Sequence, residues 1–271
     1  MRSWFLETDG EVGPAGLADD RGLTHGLGVF ETMLALDGRL VAAERHFERL
    51  ADGCDRLGIA RVDPAAVIDA LTPRLGAPEL ARARVRVART GGAGGLSELA
   101  GEDGRTLLSL APSPEPPASL RVMTAPWTRN ERSPLAGIKC ASYAENLVAL
   151  DHARRHGVDE LIFANTRGLW CEAATANVFG VFGGRLATPG ASSGCLPGTA
   201  AARVLELAAA AGLETESGEI RLDEARGADE LFLTSATRGV VAVSEWDGRA
   251  IPPGPVTARL RAAFDRSLRA G

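Results

Sequence analysis

Of the 30 basic residues in this 271-residue chain, only Lys139 is a lysine; every other one is arginine. As solvated surface cations the two residues do the same work, so a compositional drift can replace lysine wherever charge alone matters. Arginine cannot give up its proton in a protein and cannot form an imine, whereas a lysine amine does both. The position that kept lysine is therefore a candidate for amine chemistry on a carbonyl group. Chance survival of one surface lysine explains the count equally well, so the neighbouring motifs must decide.

A carbonyl cofactor such as pyridoxal phosphate needs an imine-forming lysine, a counter-charge for its ring nitrogen and a cradle for a dianionic phosphate. Glu172, in LWCEAATANVF, offers an acid at the end of a strand signal, although a lone glutamate before a turn is also the ordinary solvated residue. In LPGTAAARVLEL (196–207), Gly198 and Thr199 stand where a helix begins. Backbone N–H groups and the helix dipole favour an anion there, and glycine permits close approach; the same tripeptide is also plain capping chemistry. Arg45, in AERHFERL, can add a forked contact to phosphate. Arg49 lies one turn on, so one of the two is expected in an ordinary ion pair. Thr237, in the TSAT loop that follows the apolar run ELFL, supplies hydroxyl and backbone donors.

The elements that must position these residues are legible in outline. Strand signals fall at 3–7, 29–36, 39–41, 83–90 and 106–111, with turns at Asp9-Gly10 and Asp37-Gly38. Helical spacing of Phe47, Leu50, Cys54 and Leu57 marks a helix over 43–57, and Asp63-Pro64 opens another. The stretch PSPEPPAS (112–119) is the best boundary, giving an N-terminal domain over 1–112, a linker at 113–119 and a larger C-terminal domain over 120–271. Beyond it come strands at 120–124, 160–164, 169–171, 177–182, 185–187, 230–234 and 240–243, and helices over about 142–156, 198–211 and 256–268. Antiparallel-type strands interleaved with helices predict an α+β fold in two subdomains.

Composition removes several classes. The net charge is −5 and no Lys/Arg run occurs, which leaves no case for nucleic-acid binding. No apolar run reaches the roughly 18 residues of a membrane span, and MRSWFLETDG has no signal-peptide pattern. A cytoplasmic protein with reduced thiols at Cys54, Cys140, Cys171 and Cys195 is expected. His152 and His156 are one helical turn apart without an E-x-x-H framework, so no metal site is expected and an exposed helix face is.

In order and spacing, HGLGVFET (25–32), ERHFERL (44–50), GIKCASYAENLVAL (137–150), CEAATANVF (171–179), LPGT (196–199) and TSATRGVVAV (234–243) resemble the class IV, fold-type IV pyridoxal-phosphate enzymes. These are the branched-chain and D-amino-acid aminotransferases and 4-amino-4-deoxychorismate lyase. The resemblance covers nearly the whole chain. It implies a D-amino-acid-aminotransferase-like fold with a small N-terminal α/β domain, a larger C-terminal domain and a homodimer acting on a small-molecule amine. It further implies Lys139 as Schiff-base lysine and proton shuttle, Glu172 at the pyridine nitrogen, and Arg45, Gly198, Thr199 and Thr237 around the phosphate. Ala200 and Ala201 depart from the family's threonine and arginine, so a side-chain phosphate contact is lost.

Local features lean towards the lyase, which releases pyruvate and 4-aminobenzoate in folate biosynthesis. They are the strand and Gly-rich loop ARVRVARTGGAGGL (83–96), Thr32 in VFET, and Ala236 before Thr237. The D-amino-acid enzyme's Arg-x-His pair is not evident. A dicarboxylate substrate calls for arginine; Arg89 is nominated, with Thr32 and Tyr143 as further substrate-lining candidates. An aminotransferase on the same scaffold is the alternative reading, and a non-catalytic protein retaining the fold the remote one.

Overall fold

The structure, a computed structural model, describes residues 2–6, 19–98 and 103–269. It divides into two compact units: the first runs to Pro114 and takes in Ile138–Tyr143, and the second comprises Glu115–Gly137 and Ala144 onward. The crossing at 114/115 falls inside the Pro-rich stretch. The expected C-terminal domain is nevertheless not continuous, because the segment carrying Lys139 belongs to the first unit. The predicted turn at Asp9-Gly10 lies outside the described residues.

The first unit is an antiparallel sheet in the order β1 (Arg2–Leu6), β5 (Thr106–Pro112), β4 (Arg82–Thr90), β2 (Gly28–Leu36) and β3 (Arg39–Leu40). The β2–β3 turn needs left-handed backbone at Asp37 and Gly38, with φ of 47° and 81°, which Asp-Gly tolerates. After the short α1 (Arg21–Thr24), helix α2 (Ala43–Leu57) stops where Gly58 turns left-handed at φ 65°, and Asp63 caps α3 (Pro64–Leu75) by accepting the Ala65 N–H. One face of the sheet packs these helices: Val29, Met33 and Ala35 of β2 with Val85 and Val87 of β4 share a core with Leu50, Cys54, Val67 and Leu71. By the two-residue period of a strand, Phe30 and Thr32 with Arg84 and Arg86 occupy the other face.

A charged group breaks the apolar face. Glu31 is 1% exposed, shares a 2.7 Å hydrogen bond with His46 Nδ1 and accepts two more from Arg49, each 2.7 Å. Burial pushes its carboxyl up, but the bonds from His46 and Arg49 and the charge of Arg49 outweigh this and hold it below the ordinary carboxylate range. A depressed folded-state pKa contributes stability above the unfolded value of about 4.3, and that contribution fades as pH falls through the folded value. Urea midpoints across pH 3–7 should therefore fall on the acid side. Glu31→Gln should flatten that limb and lower stability at pH 7 by about 1–3 kcal/mol, as expected for a broken buried charge-assisted bond.

The second unit is built on one sheet in the order β11 (Thr215–Gly218), β10 (Arg185–Pro189), β9 (Asn177–Phe182), β12 (Glu230–Ser235), β13 (Gly239–Trp246), β6 (Ser119–Arg129), β7 (Glu160–Asn165) and β8 (Trp170–Ala173). The sequence pattern suggested antiparallel pairing, but β6 runs parallel to both β13 and β7, and β10 parallel to β11. Strand β6 outruns its predicted end at 124 because register shifts between Thr124 and Thr128, around Pro126, which has no N–H to give the ladder. On one face, α5 (Thr199–Ala210) and, past the short α6 (Leu222–Ala225) in sequence, α7 (Pro255–Arg269) cover Phe179 and Phe232, whose rings stack at 5.0 Å. Buried Glu230 accepts the Val256 and Thr257 N–H groups and so closes the start of α7. Helix α4 (Ala144–Arg155) lays Ala149 and Ala153 against Leu161, Phe163 and Cys171. It starts two residues later than predicted, because the Ala141 N–H and the Ser142 hydroxyl donate to the carbonyls of Gly28 and Gly26 instead.

All four cysteines are buried, and among the described residues none is in a disulfide. Burial pushes the thiols of Cys54 and Cys195 up to about 11 and that of Cys171 further still. Since the thiolate is the reactive form, an aromatic disulfide reagent should label the native protein slowly and all four thiols after denaturation. Among the described residues no helix is long and apolar enough to cross a membrane, and no group of three His, Cys, Asp or Glu is placed to hold a metal. His152 and His156 stack on one another at 4.1 Å.

Candidate active site

Lys139 lies in a short extended segment that adds to the start of β2. The Phe30 N–H donates to the Lys139 carbonyl at 2.9 Å, the Ala141 N–H to the Gly28 carbonyl at 2.7 Å, and Cys140 bridges Val29. Gly28 is required by space: a Cβ there would lie 2.7 Å from the Arg89 carbonyl oxygen. Backbone pairing thus fixes where the lysine side chain begins. Its amine is 4.5 Å from the centroid of Phe30 and 5.1 Å from that of Tyr143, rings that themselves meet edge to face at 5.0 Å. Such faces attract a cation and keep water from one side of the amine. The residue is only half-buried, so the amine remains reachable.

Of the arginines on this face, Arg86 is the one over Phe30. Its guanidinium carbon is 3.8 Å from the centroid of the same Phe30 ring, and it pairs in register with Thr32. Arg89, the nominated substrate arginine, falls on the opposite face. It is 7% exposed and donates to the Ala60 carbonyl at 2.9 Å and the Thr106 hydroxyl at 3.4 Å. This placement follows strand parity, since 89 shares the odd register of the apolar Ala83, Val85 and Val87. Arg86→Ala should therefore raise KM for a carboxylate substrate by roughly 10–100-fold with Tm little changed. Arg89→Ala should lower stability by about 1–3 kcal/mol; a urea melt beside steady-state kinetics separates the two.

On α2, Arg45 is half-buried, and Arg49, one turn on, pairs with Glu31. The Gly-rich loop at 91–95 is not an anion cradle. The amides of Ala93 and Gly95 donate to Asp103 and Glu98, and the carbonyls of Gly91 and Gly92 accept from the buried Arg21 guanidinium.

The remaining residues belong to the second unit. Glu172, on β8, accepts the Leu196 N–H through Oε2 at 2.9 Å, while Oε1 is 3.5 Å from Nε of Arg129. The Leu196 carbonyl in turn accepts from the Asn177 side chain at 2.7 Å. Gly198 has an ordinary φ of −73°, so its necessity is spatial: a Cβ there would land on Asn177 Oδ1. As N-cap of α5 it provides no side-chain cap, and Thr199 opens the helix. Ala200 and Ala201 are buried in the core beneath it. Asn177 pairs in register with Thr234, which leads to the β12–β13 turn holding Thr237. That turn is anchored by Arg238, bonded to buried Glu160 at 2.8 Å and to Thr175 at 2.7 Å. Arg129 and Arg238 were not foreseen, since their partners come from distant strands.

Each unit carries groups that fit pyridoxal phosphate. The first holds a reachable amine on an aromatic wall; the second holds a carboxylate against an amide and a guanidinium, and a helix that begins at a glycine no larger residue can replace without displacing Asn177. The model of the family amino-transferase class IV matches residues 28–246. A protein of Methanocaldococcus jannaschii, provisionally named a branched-chain-amino-acid aminotransferase, is 30% identical over 254 residues, covering 90% of this chain and 88% of its own. The bifunctional aminodeoxychorismate lyase / D-amino acid transaminase of Mycobacterium tuberculosis is 27% identical over 273 residues, covering 92% and 93%. Among solved structures, a hypothetical aminotransferase from Mycobacterium tuberculosis in its PLP-bound form superposes with a TM-score of 0.86 at 25% identity, covering 99% of each chain.

Proposed function

Since the chain belongs to the amino-transferase class IV family, whose enzymes depend on pyridoxal phosphate, we propose that it is the lyase that converts 4-amino-4-deoxychorismate into 4-aminobenzoate and pyruvate. When bound, the cofactor supplies an aldehyde and an electron-accepting ring. Lys139 would hold the cofactor through that aldehyde, and its amine, in the neutral form, would take the proton from the substrate carbon bearing nitrogen. Glu172 would keep the ring nitrogen protonated. Gly198, Thr199, Thr237 and Arg45 would hold the phosphate, backbone donors compensating for alanine at 200.

The observation that carries the substrate reading is the sharing of one Phe30 ring by the Lys139 amine and the Arg86 guanidinium. Arg86 presents a fixed positive fork for a substrate carboxylate beside the reacting amine, and Thr32 and Tyr143 line the same face. The lyase function of the Mycobacterium tuberculosis relative supports this choice. The alternative, an aminotransferase for branched-chain or D-amino acids, is supported by the Methanocaldococcus jannaschii relative and by the second activity in the Mycobacterium tuberculosis name. We take the enzyme to act as a homodimer in the cytoplasm.

The test supplies purified enzyme with aminodeoxychorismate and no amino acceptor. Sustained multiple-turnover formation of 4-aminobenzoate is expected. Activity confined to an amino acid with 2-oxoglutarate or pyruvate would assign the transaminase instead.

A further inference from the structure

Arg129 is the last residue of β6, set down beyond the register shift at Pro126 and paired with Asn165 of β7. Its side chain is 13% exposed and its guanidinium carbon lies 4.3 Å from the Phe163 ring centroid. Two carboxylates share this one cation: Glu145 Oε2 at 2.5 Å from Nη1 and Glu172 Oε1 at 3.5 Å from Nε. Nε and Nη2 are buried without a hydrogen-bond partner among the described residues. Leaving two donors of a buried guanidinium unmatched is costly, and the arrangement places its charge, rather than a tight bond, against Glu172.

We infer that Arg129 is a positioning residue that sets the charge of Glu172 and, through it, the protonation of the cofactor ring nitrogen; this rests on the assignment of Glu172 to that nitrogen. The two oxygens of Glu172 have different neighbours. The Leu196 amide orients Oε2, and the Arg129 guanidinium sets a permanent positive charge beside Oε1. A carboxylate beside a permanent cation stays anionic, so the shared proton remains on the ring nitrogen. Without Arg129 the carboxylate becomes the more basic partner, the proton moves towards oxygen, and the ring carries less positive charge. A less cationic ring releases the proton next to it less readily. The pH at which the cofactor's visible band changes must then rise.

The experiment is an absorbance titration of the holoenzyme between ~390 and 440 nm, where such cofactors absorb. It uses wild type, Arg129→Gln, Arg129→Lys, Glu172→Gln and the Arg129→Gln/Glu172→Gln double variant, with the Tm of each apo-protein. Arg129→Gln is expected to raise the midpoint by roughly half a pH unit or more. Arg129→Lys, which keeps the charge, should restore the wild-type midpoint. In the Glu172→Gln background, Arg129→Gln should add nothing further. If Glu172→Gln moves the midpoint while folded Arg129→Gln leaves it in place, the inference is overturned and the role of Glu172 stands. If Glu172→Gln itself moves nothing, the role of Glu172 falls and the inference with it. Should Arg129→Gln fail to fold, Arg129→Lys decides, because a displaced midpoint with the charge retained contradicts the proposal.

Discussion

Lys139→Arg is expected to abolish turnover, by at least about a thousandfold given the scale of nucleophile deletions in other enzymes, and to remove the visible band of the bound cofactor. The substitution keeps the positive charge over Phe30 and Tyr143 and the backbone pairing of residues 139 and 141 with β2. Stability should therefore stay within about 0.5 kcal/mol of wild type. What is lost is chemical: a guanidinium cannot shed its proton to bond an aldehyde or abstract a proton from carbon. Absorbance, a thermal melt and steady-state kinetics on one preparation separate these effects. Wild-type turnover in the arginine variant would remove the amine from the reaction altogether.

Glu172→Gln should slow proton abstraction by roughly 10²–10³-fold, the scale of losing one electrostatic stabiliser of developing charge. Cofactor affinity should change far less. The amide oxygen of glutamine can still accept the Leu196 N–H, so the loop leading to Gly198 keeps its anchor. The neutral side chain cannot hold a proton on a ring nitrogen through opposite charge, and the ring becomes a poorer electron acceptor. A substrate deuterated at the carbon bearing nitrogen supplies the check, since its isotope effect on kcat should grow as that step becomes rate-limiting. An unchanged rate would show that residue 172 has another partner.

The legible part of this protein is the part written in short-range chemistry. Strand signals marked β2 and β4, Asp63-Pro64 marked the start of α3, and Asp37-Gly38 marked the hairpin, because each depends on the dihedral and capping preferences of adjacent residues. Strand β11, made of TESG, was missed because nothing in it is apolar; it exists only as a parallel partner for the edge of β10. The place of Arg89 escapes a reading along the chain for a related reason. Its type suggested a substrate contact, but strand parity sends it to the helix-packed face, and that face is defined by β2, α2 and α3 together.

The sequence by itself determined the candidate chemistry: a chain with one lysine leaves one residue able to form an imine, and the ordered motifs around it imply the family that uses one. Tertiary structure alone decided which arginine stands beside that amine, which cation leans on Glu172, and that the Lys139 segment completes the first unit rather than the second. Residue type is a local property and can be read along the chain. Neighbourhood across a sheet depends on parity, register and the burial of a whole face, and these exist only once distant segments have packed.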